Sequence, residues 1–217
     1  MQGEMGLRER KKEQTKRAIE QAAYRLFAER GYQATTVADI AEAADVAPRT
    51  FFAYFPSKED VLFADFDATA NDLAALLRDR GAGETTFDAL RAWIAERLPD
   101  LEADDDREAL RHRLCEEHEA IAAHERHLMG RIEEIIAEGI AADLGEDPGA
   151  LRPRMVAAAA IAALMAMRPD DPRSEPALSP RAKLERLDEA LEFLSGGIAR
   201  LQRSDSRPAA AEARPGR

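Results

Sequence analysis

The sequence predicts an all-α fold, and three observations carry that reading. Alanine, the strongest helix former, occurs 44 times, against 21 for valine, isoleucine and threonine together, the β-branched residues that favour strands. No stretch alternates apolar and polar residues over the length of a strand. Apolar residues recur instead at three- and four-residue intervals, the spacing that puts them on one face of a helix. The 217 residues fit one compact unit or a small domain joined to a larger one. A composition of 45% apolar and 34% charged residues supplies a core and excludes global disorder.

The elements follow in order. Ile19, Ala22, Ala23, Leu26 and Phe27 form one stripe on a helix from about Lys11 to Arg30, with Gly31 as a left-handed cap. Thr36 opens a second helix, with Asp39 completing a capping box and Val37, Ile40, Ala41 and Ala44 facing inward. After a break at Asp45-Val46-Ala47, Pro48 suits the first position of a third helix, Pro48 to Phe55, which buries Phe51 and Phe55. Pro56-Ser57 ends it, and Ser57 with Asp60 caps a fourth helix that continues through Phe63, Phe66, Ala70, Leu73 and Leu77 to Gly81–Gly83. Thr85 with Asp88 starts a helix through Leu98, and the acidic run Asp100–Asp106 reads as a solvated loop and helix start. Glu108–Ala142 reads as two or more helices, broken off at Pro148-Gly149. An Ala-rich helix spans Leu151–Met167, a loop with four prolines spans Arg168–Pro180, and Ser179-Pro180 starts the last helix.

Charge is unevenly placed. The net charge is −11, yet residues 1–63 carry ten basic and ten acidic side chains, so the whole excess falls on residues 64–217. Arg8 to Arg17 holds six basic residues against Glu9 and Glu13. A basic start before an acidic body is the asymmetry of a chain whose one end meets a polyanion, although a solvated tail has the same composition. The single cysteine, Cys115, excludes a disulfide framework and points to a reducing interior. Met1–Lys16 offers no apolar leader, and the longest apolar run, Met155–Met167, has 13 residues, short of the ~20 of a membrane span. The expectation is a soluble cytoplasmic protein with no membrane partner.

Two short helices across a three-residue turn, with a longer helix behind them, make a helix-turn-helix. The run Ala34–Glu59 (ATTVADIAEAADVAPRTFFAYFPSKE) and the preceding Leu26–Tyr32 (LFAERGY) closely resemble the DNA-binding signature of the tetracycline-repressor (TetR) family of bacterial regulators. The resemblance implies a three-helix DNA-binding domain over residues 12–72, its helix-turn-helix at about 35–54. It also implies a helical effector-binding and dimerisation domain over 73–204, and the polar composition of 1–11 and the Pro, Ala and Arg of 205–217 read as flexible tails. The implied function is a homodimeric repressor that binds palindromic double-stranded DNA and is released by a small-molecule effector, with no other cofactor. Two positions depart from the signature. Asp45 stands where the family usually has Gly, and Ala47 where it often has a Ser cap.

Arg49 is the main candidate for base reading, because its fork matches the O6/N7 edge of guanine; a phosphate clamp and a solvated side chain are the alternatives. Pro48 and Ala53 offer apolar contact, and Phe52 shares their face. Thr36, Thr50, Tyr54 and Lys58 match family positions that hold phosphate; Phe52 stands where members commonly have Tyr. Thr36 and Thr50 also fit as caps and Tyr54 as core.

Leu184, Leu187, Leu191, Leu194, Ile198 and Leu201 follow a 3-4 spacing, a heptad seam on the last helix. With the apolar helix around Met155, they match the pair of helices that forms the family's four-helix dimer interface; an intramolecular core is the alternative. His112, Cys115 and His118 share one helix face, a soft-metal or thiol-sensor pattern that lacks a second close ligand pair, so no metal is assigned. Phe87, Trp93, Leu98, Leu110, Leu114, Cys115, His118, Ile121, Leu128, Met129 and Met165 are candidates for the implied effector pocket or for ordinary core. No Gly-rich phosphate loop or nucleophile elbow is present, so catalysis is not expected.

Overall fold

The computed structural model describes residues 6–103, 105–166 and 180–205, and among them it contains helices and no strand. The helices are α1 (Leu7–Arg30), α2 (Val37–Ala43), α3 (Pro48–Phe52), a 3-10 turn (Asp60–Phe63), α4 (Phe66–Asp79) and α5 (Thr86–Ala103). They continue with α6 (Asp105–Glu117), α7 (Glu119–Leu144), α8 (Leu151–Ala166) and α9 (Pro180–Asp205). The expected proline-rich loop, up to Ser179, and the tail from Ser206 lie outside the described residues.

The chain forms two compact units. The N-terminal unit runs to Asn71 and also takes in Leu101–Gly130; the second comprises Asp72–Asp100 and the described residues from Arg131 onward. Residues 101–130, assigned by the sequence to the C-terminal domain, therefore pack with the helix-turn-helix. Their apolar residues Leu110, Leu114, Ile121 and Leu128 join one core with Ile19, Phe27, Ile40, Phe51 and Phe63.

In the N-terminal unit, the α1 stripe Ile19, Ala22, Ala23, Leu26 and Phe27 is buried as its spacing predicts. α1 itself starts a turn earlier than expected, at Leu7. Gly31 has φ 83 and ψ 155, which lies outside the left-handed helical well and in a region essentially restricted to glycine. The Thr36 box is complete: Asp39 N donates to Thr36 Oγ1 at 3.2 Å, and Thr36 N donates to Asp39 Oδ2 at 2.8 Å. Asp45 turns the chain at φ 55, a conformation Asp adopts more easily than most residues. Ala47 gives α3 no side-chain cap, and Pro48 occupies the first turn.

Three segments differ from the sequence reading. α3 ends at Phe52, and tighter bonds from Ala53 N to Thr50 O and Tyr54 N to Phe51 O close the chain toward Pro56, which cannot extend a helix. The expected continuous fourth helix is interrupted. Ser57 and Asp60 form their reciprocal bonds, but these open only the 3-10 turn, and α4 begins at Phe66. Lys16 Nζ takes the Ala64 carbonyl at 2.9 Å at the interruption. The expected acidic loop is helical at 100–103 and again from Asp105, where Leu101, Glu102 and Ala103 are good helix formers and acids suit a helix start.

In the second unit, Leu73, Leu77, Leu90, Ile136, Ile140, Ala157 and Leu187 form the core. Asp143 joins its parts, accepting from Arg80 at 2.6 Å and from Thr86 N at 2.7 Å. Gly139 is required by close approach, since a Cβ there would stand 2.8 Å from Thr86 Oγ1.

Two outcomes are expected. Asp45→Gly removes the side-chain penalty at positive φ and should stabilise by up to ~1 kcal/mol, whereas Asp45→Val should destabilise. Thermal melts that rank the three proteins otherwise would refute the turn assignment. The Asp88 carboxyl lies below its ordinary range because Thr85 donates to it from both hydroxyl and backbone. A depressed pKa contributes stability in full above the unfolded value and loses it as pH falls through the folded one. Thr85→Val should therefore show a shallower loss of stability below pH ~4 than the parent in acid titrations.

Candidate nucleic-acid interface

α3 owes its orientation to Phe51 and Phe55, which are 0% and 3% exposed. Burying them turns Pro48, Arg49, Phe52 and Ala53 out to solvent, with Thr50 and Tyr54 half-buried at the sides. Phe52 packs edge-on against Phe51 at 5.5 Å and remains largely exposed. Among the described residues Arg49 has no hydrogen bond or ion pair, so its five donors are uncommitted. A short helix with an open arginine fork and small apolar neighbours is sized for the major groove.

Thr36 is exposed at the N-terminus of α2. Lys58 reaches back toward the same place. Its Nζ donates to Tyr32 O at 2.8 Å and Thr35 O at 3.0 Å, and lies 4.0 Å from the Tyr32 ring centre. Burial pulls the amine below its ordinary value, with neighbouring Glu59 pushing it up. The sequence did not single out Tyr32 and Thr35 for this position. Thr35 is buried and donates to Gly31 O at 2.8 Å, and the Tyr32 hydroxyl bonds Glu59. Burial of Glu59 works against ionisation, but the Tyr32 hydrogen bond and others outweigh it and hold its carboxyl below the ordinary range.

The basic run on α1 divides in two. Lys16 binds Ala64 O and Asp65, and Arg17 pairs with Glu13 at 3.0 Å. Arg8, Arg10, Lys11 and Lys12 are exposed, with no side-chain partner among the described residues. These four, together with Arg49, remain available to a polyanion.

The expected effector residues are divided between the two units. Leu110 and Leu114 are core of the N-terminal unit, half-buried Cys115 packs against it, and His118 meets the Tyr32 ring at 5.0 Å. Phe87 and Trp93 belong to the core of the second unit, and Met165 is half-buried there. The Leu98 side chain lies outside the described residues. A cavity of about 770 Å³ in the second unit is lined by Phe87 with Arg78, Arg80, Thr86, Asp143 and Ser195. His112 lies 3.7 Å from Glu116, and His124 lies 3.6 Å from Asp60. Among the described residues no three His, Cys, Asp or Glu side chains gather as a metal site.

The heptad seam makes contacts within its own unit. Leu187 and Leu191 are buried within the chain, and Leu184 and Leu194 pack on the same core. α8 and its neighbours in the same unit cover the α9 seam at Leu187 and Leu191, while Leu184 and Leu194 stay half-buried. Ile198 and Leu201 have side chains outside the described residues. Among the described residues, the large apolar side chains left exposed on α8 and α9 are Leu151, Met155 and Phe193, of which only Met155 was expected.

Comparison with known proteins bears on these features. The model of bacterial regulatory proteins of the tetR family matches residues 19–64, and that of the MftR C-terminal domain matches residues 84–199. The chain is 37% identical over 163 residues to the HTH-type transcriptional regulator TcmR of Streptomyces glaucescens, covering 70% of this chain and 71% of that protein. Its fold is similar to that of a TetR-family regulator from Syntrophomonas wolfei, with TM-score 0.61 and 17% identity over 86% of this chain and 96% of that one. It is also similar to Thermus thermophilus FadR, a TetR-family repressor solved with lauroyl-CoA, with TM-score 0.53 and 24% identity over 93% of this chain and all of that one. These relatives are named regulators rather than enzymes. No helix among the described residues is long and apolar enough to cross a membrane. With an outward α3 carrying an uncommitted arginine, and a matching relative across two thirds of its length, the chain belongs to the TetR family of DNA-binding transcriptional regulators.

Proposed function

We propose that the protein is a cytoplasmic homodimeric repressor that binds a palindromic operator and leaves it when a small-molecule effector binds. The exposed α3 face around Arg49 carries the reading. A five-residue helix reaches few base pairs, so specific binding calls for two copies on half-sites about 34–36 Å apart. Exposed Leu151, Met155 and Phe193 supply apolar surface on α8 and α9 for self-association. The effector reading draws on the cavity in the second unit and on FadR, which was solved with lauroyl-CoA.

Selection from a random DNA pool should return inverted repeats, and light scattering should show a dimer. A monomer that binds single half-sites tightly refutes the dimeric part. Arg49→Ala should cost ~1–3 kcal/mol on the selected sequence and far less on random DNA. Equal losses on both would make Arg49 a phosphate contact.

Release requires the effector to favour a state that binds DNA poorly. A coupling of ~1–3 kcal/mol corresponds to a 5–150-fold loss of DNA affinity, and operator DNA must weaken effector binding by the same factor. Phe66, half-buried at the start of α4, is the residue to probe, since α4 contributes residues to both units. Phe66→Ala should reduce the coupling more than it reduces either binding alone. Titrations of effector with and without operator measure it; ligands that bind equally well in both are not inducers.

A further inference from the structure

Lysine binds phosphate as a compact charge on a long flexible stem, and ordering that stem weakens the contact it makes. Lys58 is already ordered. Two of its three N–H groups go to the Tyr32 and Thr35 carbonyls, and the Tyr32 ring lies against the ammonium at 4.0 Å. Among the described residues the third N–H has no acceptor, and it remains for a partner outside the chain.

Tyr32 is itself held from several sides. It is 6% exposed, its hydroxyl bonds Glu59, and its ring meets Phe27 at 5.3 Å and His118 at 5.0 Å. His118 sits in the break between α6 and α7. Its N–H donates to Leu114 O at 3.0 Å, and its carbonyl accepts from Ile121 N at 3.0 Å and Ala122 N at 3.1 Å. Its Nδ1 also lies 3.5 Å from Gln33 Nε2, beside Tyr32 in sequence. Among the described residues no hydrogen bond or ion pair joins His118 to Lys58 directly. All these residues belong to the N-terminal unit.

We propose that Tyr32 and His118 are positioning residues for DNA binding: His118 fixes the Tyr32 ring, and Tyr32 holds the Lys58 ammonium and the loop before Thr36 in the geometry that meets phosphate. The inference rests on the reading of Lys58 as a phosphate contact. It gives the break between α6 and α7 an influence on the DNA-contacting edge that passes through Tyr32.

The test is a double-mutant cycle read by fluorescence anisotropy on a random-sequence DNA duplex, which separates it from the operator and effector readings above. Lys58→Ala should weaken binding and lower the salt slope by about one unit. His118→Ala should weaken binding about fivefold with Lys58 present and less than about twofold in the Lys58→Ala background. His118→Phe, which keeps a ring against Tyr32, should recover most of the loss. A merely structural role for His118 predicts equal losses in both backgrounds, and that result overturns the proposal. No loss from His118→Ala in a folded protein also overturns it, as does an unchanged affinity for Lys58→Ala, which removes the phosphate reading as well. If circular dichroism shows His118→Ala unfolded, His118→Gln, which lacks the ring, takes its place in the cycle with the same expected and opposing outcomes.

Discussion

The complete burial of Phe51 is the interaction on which the DNA-binding surface depends. α3 has five residues and no side-chain cap, far below the length at which a helix persists alone in water. It exists because Phe51 and Phe55 are inserted into a core built by Ile19, Leu26, Phe27 and Ile40. Once those rings are inward, the helix has no rotational freedom left. Its other face, with Pro48, Arg49, Phe52 and Ala53, is set outward by geometry rather than by polar bonds of its own.

The same core explains how an acidic protein carries a surface for DNA. Screening limits exposed charges to about 8 Å at physiological salt, so the local inventory matters more than the net −11. In the N-terminal unit Lys16 and Arg17 are engaged within the chain, whereas Arg8, Arg10, Lys11, Lys12 and Arg49 have no side-chain partner among the described residues. Lys58 falls between these groups, partly desolvated and bonded to two carbonyls.

Glu20 shows the cost of supporting that surface. It is buried on α1, near Lys16 at 3.7 Å, with one carboxylate oxygen that has no hydrogen-bond partner among the described residues. Burial raises its pKa, the nearby Asp65 adds to the rise, and Lys16 and Arg107 oppose it. This buried carboxylate sits beside the Lys16 amine, which donates to the Ala64 carbonyl just before α4.

Much of this was legible in the chain alone, because local chemistry determines it. The all-α class follows from alanine content and periodicity, the α2 cap from Thr36 and Asp39, and the turn from an Asp able to adopt positive φ. The inward and outward faces of α3 follow from two phenylalanines four residues apart. What the sequence could not decide was partnership over distance. The α9 leucines have the spacing of a seam whether the partner is another chain or their own, and only packing showed Leu187 and Leu191 enclosed by their own unit. Residues 101–130 carry no local sign of the core they join, and nothing local to His118 marks the Tyr32 ring it packs against. The physical reason is range: caps, turns and periodic faces are settled within a few residues, whereas burial is settled by whichever distant surface closes over them.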